Sequence, residues 1–262
     1  MIGLLDSGTG GLCAARQIKE TLPEYDFIYF GDTARSPCDN RSLPLLRKMA
    51  LEGLDFLSQK GATVIVVTCH SISAVLDEKD SNFPLLNIVS PAAEQAAQQS
   101  RKGRIGLIGP RSLVESGIYE KKIRSIRPDA KLISVPAPLL MPLAEEAWIK
   151  HPETNRIVKK YLHYLKVRQT DTLIPASGFY AVLAKTIGQK AGKRVRCVDP
   201  AFAVCDHLKS YLNNHPDLLA SLPQNGTGRY YVSDLNAFYQ KTAKIMFGKN
   251  IFLEDAGKYD SF

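Results

Sequence analysis

Two stretches of the chain carry residue types suited to chemistry. Cys69 comes directly after Thr63-Val64-Ile65-Val66-Val67 and Thr68, with His70 beside it and Ser71 next. A thiol at the end of a buried strand, opening a helix expected from Ser71 to Glu78, is placed to ionise. The helix dipole and a neighbouring imidazolium both favour the thiolate, which can attack an electrophilic carbon or take a proton from one. The competing role for Cys69 is that of a small buried hydrophobe. The second stretch is Asp6-Ser7-Gly8-Thr9-Gly10-Gly11, where a strand gives way to a helix. Its glycines allow a ligand to approach backbone N–H groups. Phosphate binding, anion binding and plain turn geometry all fit it, and its spacing is neither a P-loop nor G-x-G-x-x-G.

The other thiols are read from context. Five cysteines, an odd number with no C-x-x-C spacing, indicate neither a disulfide framework nor a zinc knuckle. No metal site is expected, and the compartment is expected to be a reducing cytosol. Cys13, Cys197 and Cys205 sit among apolar residues and are expected in the core.

The elements that must position these residues follow a βαβα rhythm. Gly3-Leu4-Leu5 reads as a strand, followed by a helix from Leu12 to Leu22, a strand from Asp26 to Phe30 and a helix from Leu43 to Lys60. The β-branched run at 63–67 then reads as a strand buried on both faces. The rhythm restarts at Arg104-Ile105-Gly106-Leu107-Ile108-Gly109, after a boundary near Gln98 to Gly103. Asp171 to Ser177 then takes the place that Ala62 to Cys69 holds in the first half, and each is followed by Ala-Val-Leu, at Ala74-Val75-Leu76 and Ala181-Val182-Leu183. The fold class is therefore α/β, with two similar doubly wound parallel-sheet units and a site between them at the strand carboxyl ends. A strand at Gly228 to Ser233 and a helix from Leu235 to Phe247 close the chain.

Composition excludes several classes. The 262 residues are 45% hydrophobic and 23% charged, enough to bury a core and too apolar for a disordered chain. The net charge of +8 is spread over short separate clusters without aromatic interleaving, so no nucleic-acid partner is expected. No apolar run approaches the ~18–20 residues of a membrane span, and the start of the chain lacks the pattern of a signal peptide.

These residues together resemble bacterial glutamate racemase. The resemblance is carried by Asp6-Ser7-Gly8-Thr9-Gly10-Gly11-Leu12, by Tyr29-Phe30-Gly31-Asp32-Thr33-Ala34-Arg35-Ser36-Pro37, and by Cys69 after its strand. Further matches are Ser116-Gly117-Ile118-Tyr119, Pro138 to Glu146 and Asp171-Thr172-Leu173-Ile174. It implies two α/β domains of pseudo-twofold relation, residues 1–92 plus 207–262 and residues 93–206. It also implies a cytoplasmic isomerase that supplies D-glutamate for peptidoglycan without a cofactor. A small carboxylate or amino acid is the implied partner, and a homodimer is allowed. In such enzymes two cysteines face the substrate Cα from opposite sides, because inversion needs a proton acceptor on one face and a donor on the other.

Carried over residue by residue, the resemblance gives Cys69 as the first catalytic cysteine, supported by Asp6. Ser177 stands where the second cysteine belongs, and Phe179 where a histidine assists it. Ser7, Pro37, Cys38, Asp39, His70, Ser71 and Gly178 fall at substrate-binding positions. The family's Cys-Asn-Thr is here Cys69-His70-Ser71, its Pro-Tyr-Gly is Pro37-Cys38-Asp39, and two expected threonines are Pro110 and Leu113. A carboxylate at Asp39 would repel the side-chain carboxylate of glutamate unless it is paired or turned away. Cys38 could stand in as a second thiol.

Three readings follow. The chain is a glutamate-type racemase with altered or weakened activity; or a one-cysteine enzyme acting on another small carboxylate by decarboxylation, isomerisation or one-sided proton exchange; or a silent homologue that binds a small acid or a protein.

Overall fold

In the computed structural model, which describes residues 1–38, 41–248 and 251–257, two parallel sheets face one another. The first is laid down by β1 (Ile2–Asp6), α1 (Leu12–Thr21), β2 (Phe27–Gly31), α2 (Leu43–Gln59), β3 (Val64–Val67), α3 (His70–Ser73), β4 (Leu85–Asn87) and α4 (Val89–Gln99). The second comprises β5 (Arg104–Gly109), α5 (Arg111–Ser116), α6 (Ile118–Ile126), β6 (Lys131–Pro136), α7 (Leu140–Glu145), α8 (Pro152–Val167), β7 (Thr172–Pro175), α9 (Ala184–Ala191) and β8 (Arg196–Cys197). The chain then returns through α10 (Pro200–Asn213) and α11 (Pro216–Ser221), and adds β9 (Gly228–Val232), α12 (Ala237–Phe247) and β10 (Glu254–Asp255) to the first sheet.

Strand order explains why the site forms where it does. The first sheet runs β10-β9-β2-β1-β3-β4 and the second β6-β5-β7-β8, with every pairing parallel. In each sheet the winding direction reverses between its first strand and the neighbour on the other side, β1 with β3 and β5 with β7. Ligand crevices in open parallel sheets open at such reversals, beyond the strand carboxyl ends. Ser7 and Cys69 follow β1 and β3, and Pro110 and Ser177 follow β5 and β7, so the two reversals supply two facing walls.

Packing rests on the strands predicted from apolar runs. Val64 to Val67 are wholly buried, and each such side chain contributes about 1.5–3 kcal/mol by leaving water. One apolar cluster covers the α1 face of the first sheet and continues into the second through α4 and α10; α10 packs on both α1 and α4. A separate cluster of Leu5, Phe30, Leu46, Met49, Leu57 and Val67 fills the space under α2.

Three expectations are corrected. The helix expected from Ser71 to Glu78 is the single turn His70–Ser73. Asp77 takes an extended conformation and makes a reciprocal capping box with Asp80, which starts a separate 3₁₀ turn at Glu78–Asp80 and ends the helix. Ala181-Val182-Leu183, which the parallel with the first half leads one to expect at a helix start, lies in a 3₁₀ turn, Gly178–Leu183, that precedes α9. Cys197 is not in the core: it is exposed on the two-residue edge strand β8, while Cys13 and Cys205 are buried as expected.

Candidate functional site

The residues expected to act together are brought together. Asp6, Ser7, Cys38, Cys69, His70 and Ser71 line one cavity from the first unit, and Ser177 and Gly178 line it from the second. Pro37 does not line it: it is exposed, and the residues on either side, Ser36 and Cys38, face the cavity instead. Asp39 lies outside the described residues. Pro110, Met141 and Phe179 also form the wall. The space left is about 30 Å³, room for a water molecule and not for an amino acid.

Cys69 is half-buried, and its Sγ lies 3.1 Å from Ser7 Oγ. Cys38, buried, donates from Sγ to the same Ser7 Oγ at 3.1 Å. Ser7 was expected at a substrate-binding position, and in the structure it joins two thiols. Because both sulfurs sit on one hydroxyl of the first unit, Cys38 lies on the same side of the cavity as Cys69 and not across from it.

Asp6 is buried at the end of β1. Its carboxylate accepts from the Thr68 hydroxyl at 2.9 Å and from the Gly8 N–H at 3.1 Å. Burial nevertheless pushes its pKa up to about 7, so Asp6 can hold or release a proton near neutrality beside the cavity. Gly11 is required next to it, because a Cβ there would overlap the Asp6 carboxylate.

His70 corrects the expected electrostatics of Cys69. It is buried, Nδ1 pairs with the Tyr119 hydroxyl at 2.8 Å, and Nε2 has no hydrogen-bond partner. Burial pushes its pKa down to about 3, so the imidazole is neutral at physiological pH and supplies no cation. With α3 only one turn long, the dipole expected to assist Cys69 is small as well. Ser7 is the polar neighbour that Cys69 has in their place.

The turn that presents Cys38 is held by its own neighbours and by the C-terminal stretch of the chain. Arg35 pairs with Asp32 and with Glu52 of α2, Ser233 donates to Asp32 at 2.8 Å, and Thr33 donates to the Asp234 carbonyl at 2.7 Å. The Tyr239 hydroxyl of α12 donates to the Thr33 carbonyl at 2.9 Å. The C-terminal return of the chain thus pins one wall of the cavity. Nothing local in the sequence signals that coupling.

Across the cavity, the second unit offers Ser177 and the phenyl ring of Phe179, and no thiol or imidazole. Behind the contact between Gly10 and Gly178 lies a larger cavity of about 300 Å³, whose wall includes His70, Ser177, Arg16 and Cys197. Among the described residues, no group of three His, Cys, Asp or Glu side chains is arranged to hold a metal ion, and no helix is long and apolar enough to cross a membrane.

A family model for Asp/Glu/hydantoin racemases matches residues 19–208. The chain belongs to the Asp/Glu/hydantoin racemase family. Within that racemase family it is 33% identical to the glutamate racemase of Geobacter metallireducens, over 94% of this chain and 92% of the relative. It is also 33% identical to the glutamate racemase of Neisseria meningitidis, over 95% of this chain and 93% of that one. The fold matches the glutamate racemase isoform RacE1 of Bacillus anthracis with a TM-score of 0.91, at 26% identity over 97% of this chain and 96% of that one. It matches the glutamate racemase of Francisella tularensis, solved in complex with D-glutamate, with the same TM-score, at 25% identity over 100% of this chain and 98% of that one. Both racemase structures share the two-domain parallel-sheet architecture described above.

Proposed function

We propose that the chain is a glutamate racemase-like isomerase that moves the α-proton of a small acidic amino acid through one thiol, Cys69. The curated relatives named for glutamate, and the related structure solved with D-glutamate, support that substrate class. In the family the product serves peptidoglycan synthesis. The observation that carries the reading is the asymmetry of the cavity: Cys69 stands on one wall, and Ser177 with Phe179 on the other.

The chemistry follows from that asymmetry. Cys69 takes the proton from one face of Cα, and Asp6, with a pKa near 7, supplies a second proton-exchanging group on the same wall. Inversion requires delivery to the opposite face, where a serine hydroxyl carries a negligible alkoxide fraction without a base to activate it. A positioned acid–base group contributes about 10²–10⁴ in rate, so racemisation should be slower by that order than one-face exchange. A second reading, binding of a small acid without turnover, is favoured by the second wall, where Ser177 and Phe179 offer neither thiol nor imidazole.

The test is solvent deuterium incorporation at Cα, followed by mass spectrometry separately from L- and D-glutamate with chiral separation. Exchange into one enantiomer, outrunning inversion by about 10²-fold or more, is expected. Equal rates of exchange and inversion from both enantiomers would overturn the one-thiol assignment. No exchange from either would leave binding without turnover, or another carboxylate, as the reading.

A further inference from the structure

The contact between Cys38, Ser7 and Cys69 points to chemistry separate from proton transfer. Each sulfur lies 3.1 Å from Ser7 Oγ, so the two are no more than twice that distance apart. Neither is in a disulfide. Both line the cavity, but Cys69 is half-buried whereas Cys38 is 5% exposed. Cys38 also follows the 3₁₀ turn Thr33–Arg35 and lies outside any sheet ladder. We propose that Cys38 and Cys69 are a peroxide-responsive pair that closes into a reversible disulfide, with Cys69 oxidised first and Cys38 resolving it.

The chemistry balances with a hydroperoxide as the oxidant. The Cys69 sulfur attacks the terminal peroxide oxygen; an S–O bond forms, the O–O bond breaks, and the alcohol or water leaves with the thiol proton. Cys69 is then a sulfenic acid. The Cys38 sulfur attacks the Cys69 sulfur; the S–S bond forms, the S–O bond breaks, and the hydroxyl departs with the Cys38 proton as water. Two thiols lose two electrons, and the peroxide gains them. Small thiols reverse the bond by exchange. The order follows from exposure, because the oxidant meets Cys69 before it can reach Cys38. For the sulfurs to close to ~2.05 Å, both must give up their contacts with Ser7 Oγ.

The remaining cysteines are placed differently. Cys13 donates to the Met246 carbonyl, Cys205 to the Gln17 carbonyl, and Cys197 is exposed on its edge strand. Oxidation would occupy Cys69 and stop proton exchange. That consequence rests on the function proposed above, whereas formation of the bond does not, so a mass measurement and an activity measurement can fail separately.

The test uses the full chain treated with hydrogen peroxide, blocked with N-ethylmaleimide and digested with trypsin without reduction. Cys38 and Cys69 fall in separate tryptic peptides, residues 36–41 and 61–79. The expected result is a cross-link between those two peptides and, measured before the maleimide is added, an intact mass lower by about 2 Da, both reversed by dithiothreitol. When aliquots are taken at intervals into dimedone, which captures a sulfenic acid as a stable thioether, wild type should give a Cys69 adduct in early aliquots that falls away in later ones as the cross-link forms. Cys38→Ser should show the adduct accumulating and no cross-link. A Cys69 adduct that persists equally in wild type and variant would overturn the proposal, as would a disulfide joining any other pair. If Cys38→Ser does not fold, the wild-type time course decides: a cross-link with no earlier adduct rejects the order, and no cross-link rejects the pair.

Discussion

Gly10 and Gly178 meet backbone to backbone across the cleft, one from the loop after β1 and the other from the turn after β7. A Cβ on Gly178 would overlap the Gly10 carbonyl oxygen, and a Cβ on Gly10 would come within 2.9 Å of the Phe179 ring. The two units therefore close on each other through glycine, and a substrate must part this contact or displace Phe179. Gly178→Ala should lower stability by about 1–3 kcal/mol through overpacking, read as a lower melting temperature. Gly188→Ala is the control, because a Cβ there meets nothing within 4 Å; inside α9 it should raise stability by about 0.5–1 kcal/mol.

Asp6 and His70 should give opposing pH dependences that partly cancel. In the folded chain Asp6 keeps its proton up to about pH 7 against an ordinary value of 3.8, so its contribution is greatest in acid and is lost as pH rises towards 7. His70 refuses a proton down to about pH 3 against an ordinary value of 6.5, so its contribution is present above 6.5 and is lost as pH falls. Urea unfolding of Asp6→Asn from about pH 4.5 to 6.5 should show stability rising with pH more steeply than in wild type. His70→Gln should tilt the profile the other way, each by at most ~1.4 kcal/mol per pH unit. Two variants that both kept the wild-type profile would show that neither group titrates as its burial implies.

Restoring the second wall should restore inversion. Ser177→Cys places a thiol opposite Cys69, and Phe179→His adds an imidazole while relieving the apolar filling of the cavity. The single change should raise glutamate racemisation detectably. The pair should raise kcat further, by about 10²-fold if the imidazole assists the new thiol, with KM moving less because the first unit's binding residues are unchanged. Circular dichroism of D- and L-glutamate mixtures reads the rate. A folded double variant that exchanges the α-proton but inverts no faster than wild type would mean that Ser177 does not face Cα.

The sequence by itself determined what local periodicity can encode. The strands at Ile2–Asp6 and Val64–Val67, and the helices at Leu12–Thr21 and Leu43–Gln59, were legible because burial on one or both faces writes itself into consecutive residues. Cys69, and the Gly-rich turn that begins with Asp6 and Ser7, were legible as candidates from their places at strand ends, and the structure puts all three on one cavity. The losses of cysteine and histidine at Ser177 and Phe179 were legible only through the family resemblance. Tertiary structure decided the rest. Short or half-buried strands such as Leu85–Asn87, Lys131–Pro136 and Arg196–Cys197 exist because a neighbouring strand pairs with them, not because of any pattern of their own. Whether His70 is a cation, and whether Cys38 faces Cys69 or joins it through Ser7, depends on desolvation and distance between groups far apart in the chain. His70 loses water where Tyr119 of the second unit meets it, and the Ser7 bridge forms where three stretches of the first unit converge.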